Sequence, residues 1–92
     1  MEEATIVCTD YMRYRLSLRK YDIETVEKIV RYSSERYVDT VTGRLVAIGR
    51  HESLLVMIPY ELRRRKLTPI TIHATSRQQI NSRIKSGRFK NE

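Results

Sequence analysis

The sequence lacks the features of secreted and membrane-spanning proteins. Cys8 is its one cysteine, so no intrachain disulfide can form, and a disulfide-stapled secreted domain is excluded. No stretch approaches the ~18 apolar residues of a membrane span, and Met1-Glu2-Glu3 is unlike the start of a signal peptide. We therefore predict a cytoplasmic protein without a membrane partner.

Familiar catalytic and cofactor motifs are also missing. The chain has no glycine-rich phosphate loop, no Cys or His cluster with metal-ligand spacing and no Gly-x-Ser-x-Gly elbow. Its carboxylates are dispersed, so a paired general acid and base is unsupported. We expect neither a cofactor nor a metal, and we interpret Cys8, in an apolar run, as a buried or edge-strand thiol.

Positive charge, in contrast, is abundant and unevenly placed. The 92 residues include 18 Lys and Arg and 11 Asp and Glu, for a net charge of +7. Residues 1–62 hold nine basic and ten acidic side chains, whereas residues 63–92 hold nine and one, a net of −1 followed by +8. This asymmetry favours a polyanion, which we predict to be RNA, as the partner of a single domain over residues 1–92.

The apolar periodicity predicts an α+β fold. After a short strand over residues 5–8, Thr9 or Asp10 can cap a helix running to about Leu18. Asp22 can cap a second helix over residues 23–32, whose apolar residues lie on one face. We therefore predict two N-terminal helices packed on the sheet that follows.

The sheet is predicted to be a three- to four-stranded antiparallel meander. Three strands are expected over residues 36–39, 44–50 and 53–60. The second and third are apolar on both faces, so other parts of the chain should cover each face of the sheet. Residues 70–75 alternate as a further strand, with Ile70, Ile72 and Ala74 on one face. A basic C-terminal helix of about ten residues then begins after the capping box of Ser76 and Gln79.

Two basic clusters are candidate nucleic-acid contacts. The first, at the tip of a predicted hairpin, comprises Arg63, Arg64, Arg65 and Lys66. The second, on and just after the last helix, comprises Arg83, Lys85 and Arg88. Tyr60, near the first cluster, is the candidate for stacking on an unpaired base, while the other tyrosines are interpreted mainly as packing residues. His51, in a predicted turn, is expected to be exposed.

His73 is the candidate acid or base. It lies on the more polar side of its strand, upstream of Arg77, where a histidine can exchange a proton with a ribose 2′-hydroxyl or a leaving oxygen. The alternative is a structural histidine hydrogen-bonded beneath the last helix. With His73 we group Arg44, Arg50 and Arg77 as catalytic candidates that contact the phosphate and the transition state.

The order of elements resembles the RelE/ParE superfamily of toxin–antitoxin proteins, especially its BrnT-like branch of small ribonuclease toxins. The likeness is carried by residues 12–16 (MRYRL), 21–30 (YDIETVEKIV), 43–49 (GRLVAIG), 54–58 (LLVMI) and 70–75 (ITIHAT). It implies an open basic sheet face that grips RNA and cleaves it without metal, by attack of the 2′-hydroxyl. BrnT-like proteins tend to have an Ile-Ser-Ala-Arg run in the last strand, where this chain has Ile72-His73-Ala74-Thr75.

Three functions follow as hypotheses. The first is a toxin-like, metal-independent endoribonuclease acting on single-stranded RNA or mRNA. The second is a non-catalytic nucleic-acid-binding module that uses residues 63–66 and the last helix as a clamp. The third is a protein–protein adaptor whose basic segment accepts an acidic antitoxin-like chain.

Overall fold

A computed structural model of the protein describes residues 3–92 and has an α+β architecture. Within these residues three helices and seven strands follow one another. In order they are β1 (Thr5–Ile6), α1 (Asp10–Arg19), α2 (Ile23–Tyr32), β2 (Glu35–Asp39), β3 (Leu45–His51), β4 (Leu54–Arg63), β5 (Lys66–Pro69), β6 (His73–Ala74), α3 (Arg77–Lys85) and β7 (Phe89–Asn91).

The strands form one mixed sheet rather than the three- to four-stranded antiparallel sheet that was predicted. Its order is β1-β5-β4-β3-β2-β7, with β6 paired to β4 beyond the end of β5. The predicted meander β2-β3-β4 is confirmed at its centre, but β1 joins parallel to β5 and β7 joins antiparallel to β2. The short strand predicted over residues 5–8 is present as β1, although its parallel pairing with β5 was not predicted. The pattern missed β7, because a strand of three residues is too short to show a period.

Of the strand predicted over residues 70–75 only His73–Ala74 is a strand, and β5, at Lys66–Pro69, precedes it across a bulge. Tyr60 pairs with Pro69 and Met57 pairs with His73, so three steps along β4 match four steps along the partner chain. The extra residue resets the alternation between β5 and β6. Ile72 is buried with residues of the N-terminal helices, whereas His73 and Ala74 are exposed.

Side-chain caps fix where the helices begin. The Thr9 hydroxyl accepts a hydrogen bond from the Met12 amide at 3.1 Å, the Asp22 carboxylate accepts from Thr25, and the Ser76 hydroxyl accepts from the Gln79 amide at 3.1 Å. Each cap satisfies an amide that has no partner inside its helix. The predicted starts of all three helices are thereby confirmed.

The sheet is covered on both faces, as the apolar central strands predicted. On one face Met12 of α1 and Val30 of α2 pack with alternate residues of β3 and β4, such as Ala47 and Ile58. On the other face Ile80 of α3 and Phe89 of β7 pack over Val46 and Met57. No helix within residues 3–92 is long and apolar enough to cross a membrane.

Gly49 permits the close approach of α2 to β3. A Cβ atom at this position would lie 2.7 Å from both Cγ1 and Cγ2 of Ile29. Any larger residue would therefore displace the helix or force Ile29 from its rotamer. The glycine is a packing requirement of the layer that holds α1 and α2 to the sheet.

His51 is buried, and the expectation that it is exposed in a turn was wrong. It is the last residue of β3 and is 8% exposed. Its Nε2 accepts a hydrogen bond from the Asp22 amide at 2.7 Å, and its ring meets the ring of Tyr21 edge-on at 5.1 Å. The His51 side chain lies over the start of α2, where it provides the acceptor for the Asp22 amide.

Candidate nucleic-acid interface

The turn between β4 and β5 holds two arginines in an unfavourable backbone conformation. Arg63 pairs with Lys66, so the loop consists of Arg64 and Arg65 alone, with φ angles of 49° and 63°. Two successive positive φ angles are the geometry of a type I′ hairpin, which strongly favours Asn-Gly. Non-glycine residues held there cost on the order of 1–3 kcal/mol each.

This turn presents an uncompensated positive surface, which we call the arginine hairpin (Arg63–Lys66). All four side chains are exposed, and none of them has a carboxylate partner among residues 3–92. Beside it lies a cleft of about 450 Å³ lined by Glu61, Arg63, Arg64, Lys66 and Thr68. Such a surface attracts anions, and a phosphate chain would release counterions on binding to it.

His73 forms the second cationic site together with arginines from two helices. Its Nδ1 lies 3.5 Å from Nη2 of Arg15, at the long limit of a hydrogen bond, and the same Nη2 donates to the Ile72 carbonyl at 3.0 Å. An arginine can only donate, so this contact makes Nδ1 an acceptor and leaves the proton of a neutral ring on Nε2. The ring can therefore donate a hydrogen bond to an anion.

The surroundings of His73 favour its neutral form. Partial burial of the ring lowers its pKa, and the positive charges of Arg15, Arg19 and Arg83 lower it further. Arg83 extends from α3. Its guanidinium lies 5.6 Å from the centroid of the Phe89 ring, and its Nη1 lies 3.8 Å from the Met57 sulfur. We call Arg15, Arg19, His73 and Arg83 the His73 cluster.

The three arginines predicted to share the catalytic site with His73 are engaged elsewhere. Arg77 makes a bidentate pair with Glu35 at 2.6 and 2.9 Å, and this pairing is the main cause of a lowered Glu35 pKa. Arg44 lies 3.8 Å from Glu61, and Arg50 donates to the Ser53 carbonyl at 3.3 Å. Of the predicted phosphate contacts, the structure brings only Arg83 to His73.

Tyr60, predicted to stack on a base, is fully buried. Its relative exposure is 0%. Its hydroxyl accepts a hydrogen bond from Arg36 at 3.0 Å and donates to Glu92 at 3.1 Å, while the Arg36 guanidinium lies 5.4 Å from the ring centroid. This placement leaves no ring face open to a base.

The two remaining basic candidates near the C terminus differ in their surroundings. Arg88 donates from Nε and Nη2 to the two carboxylate oxygens of Asp39, at 3.1 and 3.0 Å, and so ties β7 to the end of β2. Lys85 is exposed at the end of α3 and has no ion pair within the described residues. Lys85 can contact a ligand, whereas Arg88 is part of the structural framework.

Metal-binding and nucleophilic chemistry find little support in residues 3–92. That part of the chain contains no group of three or more His, Cys, Asp or Glu side chains able to hold a metal ion. Cys8 is half-buried between β1 and α1, and burial raises the pKa of its thiol, which disfavours the nucleophilic thiolate.

Arg15 and Arg19 were missed as site residues. They are four residues apart on α1, within residues 1–62, whose net charge is only −1. The distribution of charge along the sequence therefore gave no reason to select them. Their i, i+4 spacing places them on one side of the helix, which is the signal that was available. Only the fold shows that this side faces His73.

Fold and surface together define a basic α+β protein with two cationic sites on a mixed sheet. Comparison of the chain with protein-family models, with curated proteins and with solved structures finds no match. The resemblance to the RelE/ParE superfamily stays a prediction.

Proposed function

We propose that the protein binds single-stranded RNA through the arginine hairpin and the His73 cluster. The observation that carries this proposal is the backbone of Arg64 and Arg65. A hairpin shaped by stability alone would have Asn-Gly in this turn, because that pair adopts positive φ with little strain. Keeping two arginines there costs stability, and strain of this kind is characteristic of functional positions.

The His73 cluster supports the same ligand. Three arginines and a neutral imidazole that donates from Nε2 offer hydrogen bonds to phosphate oxygens. The arginines grouped with His73 as catalytic candidates are instead held by carboxylates or a backbone carbonyl. Two separated cationic sites suit the holding of an extended phosphate chain better than the cutting of one bond.

Replacing the arginine pair by its unstrained equivalent tests the proposal. Arg64→Asn combined with Arg65→Gly should raise the free energy of unfolding by about 1 kcal/mol or more, because the turn is no longer strained. The same change should weaken RNA binding and reduce the slope of log affinity against log salt by about 0.7 for each lost phosphate contact. Urea unfolding and fluorescence anisotropy with a labelled oligouridylate measure the two effects.

The opposite signs of these two effects make the experiment selective. A loss of binding in a more stable protein cannot arise from unfolding. The matched control, Arg13→Gln with Lys28→Gln, removes two exposed charges from α1 and α2 and should leave the salt slope almost unchanged. A slope of log affinity against log salt near zero for the wild type, or equal losses of RNA affinity in the two double variants, would refute the proposal. Binding of an acidic polypeptide without binding of RNA would favour the adaptor instead.

The proximity of His73 to Arg15 and Arg83 favours one second candidate, a toxin-like endoribonuclease. In that reaction the 2′-oxygen attacks the phosphorus while the unprotonated Nδ1 takes the hydroxyl proton in exchange for its long contact with Arg15. The bond to the 5′-oxygen breaks, giving a 2′,3′-cyclic phosphate and a 5′-hydroxyl protonated by solvent. Cleavage that persists in chelator and is lost in His73→Ala would establish this activity; intact RNA at every protein concentration would exclude it.

A further inference from the structure

One face of α1 carries three large side chains that the core does not cover. The helix buries only Met12 and Leu16. Tyr11, Tyr14 and Leu18 follow at i, i+3 and i+7, and they are 58%, 59% and 56% exposed. Single exposed apolar residues are ordinary, but three along one helical stripe form a contiguous patch that indicates a binding surface.

Cations border this stripe on the side of His73. Arg15 is four residues after Tyr11, and Arg19 is four residues after Arg15, so the two arginines form the adjacent row of the helix. Arg15 reaches the Ile72 carbonyl and approaches His73, which makes the aromatic stripe continuous with the His73 cluster. Within α1, Asp10 at the first turn is the one acidic residue.

We propose that Tyr11 and Tyr14 are stacking platforms for the unpaired bases of an RNA strand whose phosphates lie on Arg15 and Arg19. The inference rests on the proposed RNA-binding function and specifies its substrate as single-stranded. Aromatic rings beside a cationic track are the recurring arrangement of single-strand-binding surfaces, whereas the base faces of a duplex are hidden by stacking. The adjacent arginines favour this ligand over an apolar protein surface.

Ring removal and ring retention separate stacking from other contacts. Tyr11→Ala with Tyr14→Ala should weaken binding of a labelled oligouridylate by about 5- to 150-fold for each base that loses its platform. Tyr11→Phe with Tyr14→Phe keeps both rings and should bind almost as wild type. Because no charge changes, the salt slope of the alanine variant should equal that of the wild type, unlike that of the arginine-hairpin variant.

Tyr32 provides the matched control. It is 60% exposed on α2, outside the stripe, and Tyr32→Ala should not alter RNA affinity. Urea unfolding of each variant confirms folding first; should the alanine pair fail to fold, Tyr11→Gln with Tyr14→Gln replaces it with helix-compatible residues.

The outcomes distinguish this inference from the function on which it rests. If the wild type binds no RNA, the proposed function fails. If it binds and the alanine and phenylalanine pairs both match it, the function stands and the stacking inference is overturned. Equal losses for single-stranded and duplex RNA would also overturn it, as would a stripe that mediates self-association in sedimentation experiments without affecting RNA affinity.

Discussion

The two histidines of this chain have opposite environments, and their neighbours decide what each can do. His51 is enclosed between β3 and the start of α2, where its ring nitrogen satisfies the Asp22 amide. His73 is exposed beside Arg15, and partial burial together with the positive charges of Arg15, Arg19 and Arg83 makes its own positive charge unfavourable. The first histidine is a structural acceptor, and the second is a neutral donor that becomes easier to protonate when an anion binds.

We expect an NMR titration to place the pKa of His73 below its ordinary value of 6.5. Arg15→Gln should raise it, because one of the neighbouring positive charges is removed, whereas Lys28→Gln on α2 should not change it. Saturating oligouridylate should also raise it, since bound phosphates offset the arginines. A wild-type pKa at or above the ordinary value would contradict the arrangement of the His73 cluster.

The same shift predicts how stability depends on pH. A folded-state pKa below the unfolded one means that the unfolded chain binds the proton more readily. Stability should therefore decrease as the pH falls from about 6.5 toward the folded pKa, and His73→Gln should reduce this decrease. Urea unfolding at a series of pH values measures both curves.

The tyrosines show how far single residues could be assigned from sequence. Alternation along β4 places Tyr60 on the same face as Val56 and Ile58, which is the signal for its burial, whereas its nearness to the basic cluster had suggested a base contact. On α1, Met12 and Leu16 fill the core stripe and leave Tyr11 outside it. Neither pattern reveals that Arg15 would meet His73, because that contact joins residues 58 positions apart.

At the scale of elements, the β2–β7 pairing is closed by an ion pair between the buried Asp39 and the partly exposed Arg88. Asp39 is 3% exposed, and its carboxylate accepts bonds from Arg88 and from the Val41 amide at 2.9 Å. The rings of Tyr37 and Phe89 stack beside it with a 5.4 Å centroid separation. This clasp attaches the end of the chain to the sheet and so fixes α3 above it.

Asp39→Asn should therefore destabilise the fold by about 1.5–3 kcal/mol, the usual contribution of hydrogen bonds to a charged group. Burial opposes ionisation, but the bonds from Arg88 and the backbone amides prevail and lower the pKa of Asp39. Its contribution is thus present above its ordinary pKa of 3.8 and is lost as the pH falls through the folded value.

Unfolding curves of wild type and Asp39→Asn should accordingly converge in strong acid. Glu61→Gln is the control, since Glu61 and Arg44 are both exposed and 3.8 Å apart, and such pairs contribute about 0–1 kcal/mol. Equal effects of the two substitutions at neutral pH would show that the clasp does not stabilise the β2–β7 pairing.

Elements with local signals were predicted well, and those defined by distant partners were not. Caps and apolar spacing located the three helices, since both lie within a few residues of the helix they define. The strand at residues 5–8 was predicted but its pairing with β5 was not, and β7 and the bulge near Ile72 were missed because β2 and β4 define them. None of these partners is close in sequence.

Across the whole molecule, folding redistributes the charge that the sequence concentrates in its last third. Arg77 and Arg88 find Glu35 and Asp39, which lie in the first half of the chain, so part of the C-terminal excess is neutralised. Arg15 and Arg19, from the nearly neutral first part, join His73 instead. Of the two sequence clusters, the first is retained as the arginine hairpin, whereas the second is divided, because Arg88 pairs with Asp39 and Arg83 belongs to the His73 cluster.

The arginine hairpin and the His73 cluster lie along the same strand. His73 pairs with Met57 and the hairpin begins at Arg63, so six residues of β4 separate them, a distance of about 20 Å. The molecule measures 32 × 30 × 21 Å, so the two sites span most of one dimension. One RNA strand that engages both would gain from the high effective concentration of its second segment.

Affinity should therefore rise steeply once an oligouridylate is long enough to span both sites, by a factor on the order of 10²–10⁴ over strands that reach only one. Arg64→Asn with Arg65→Gly should abolish this step, and so should Arg15→Gln with Arg19→Gln, because either change leaves a single site. The Arg13→Gln, Lys28→Gln control should retain it. Anisotropy titrations with a ladder of lengths measure the step; a smooth rise, or a step that survives in both site variants, would show that the two sites do not share one strand.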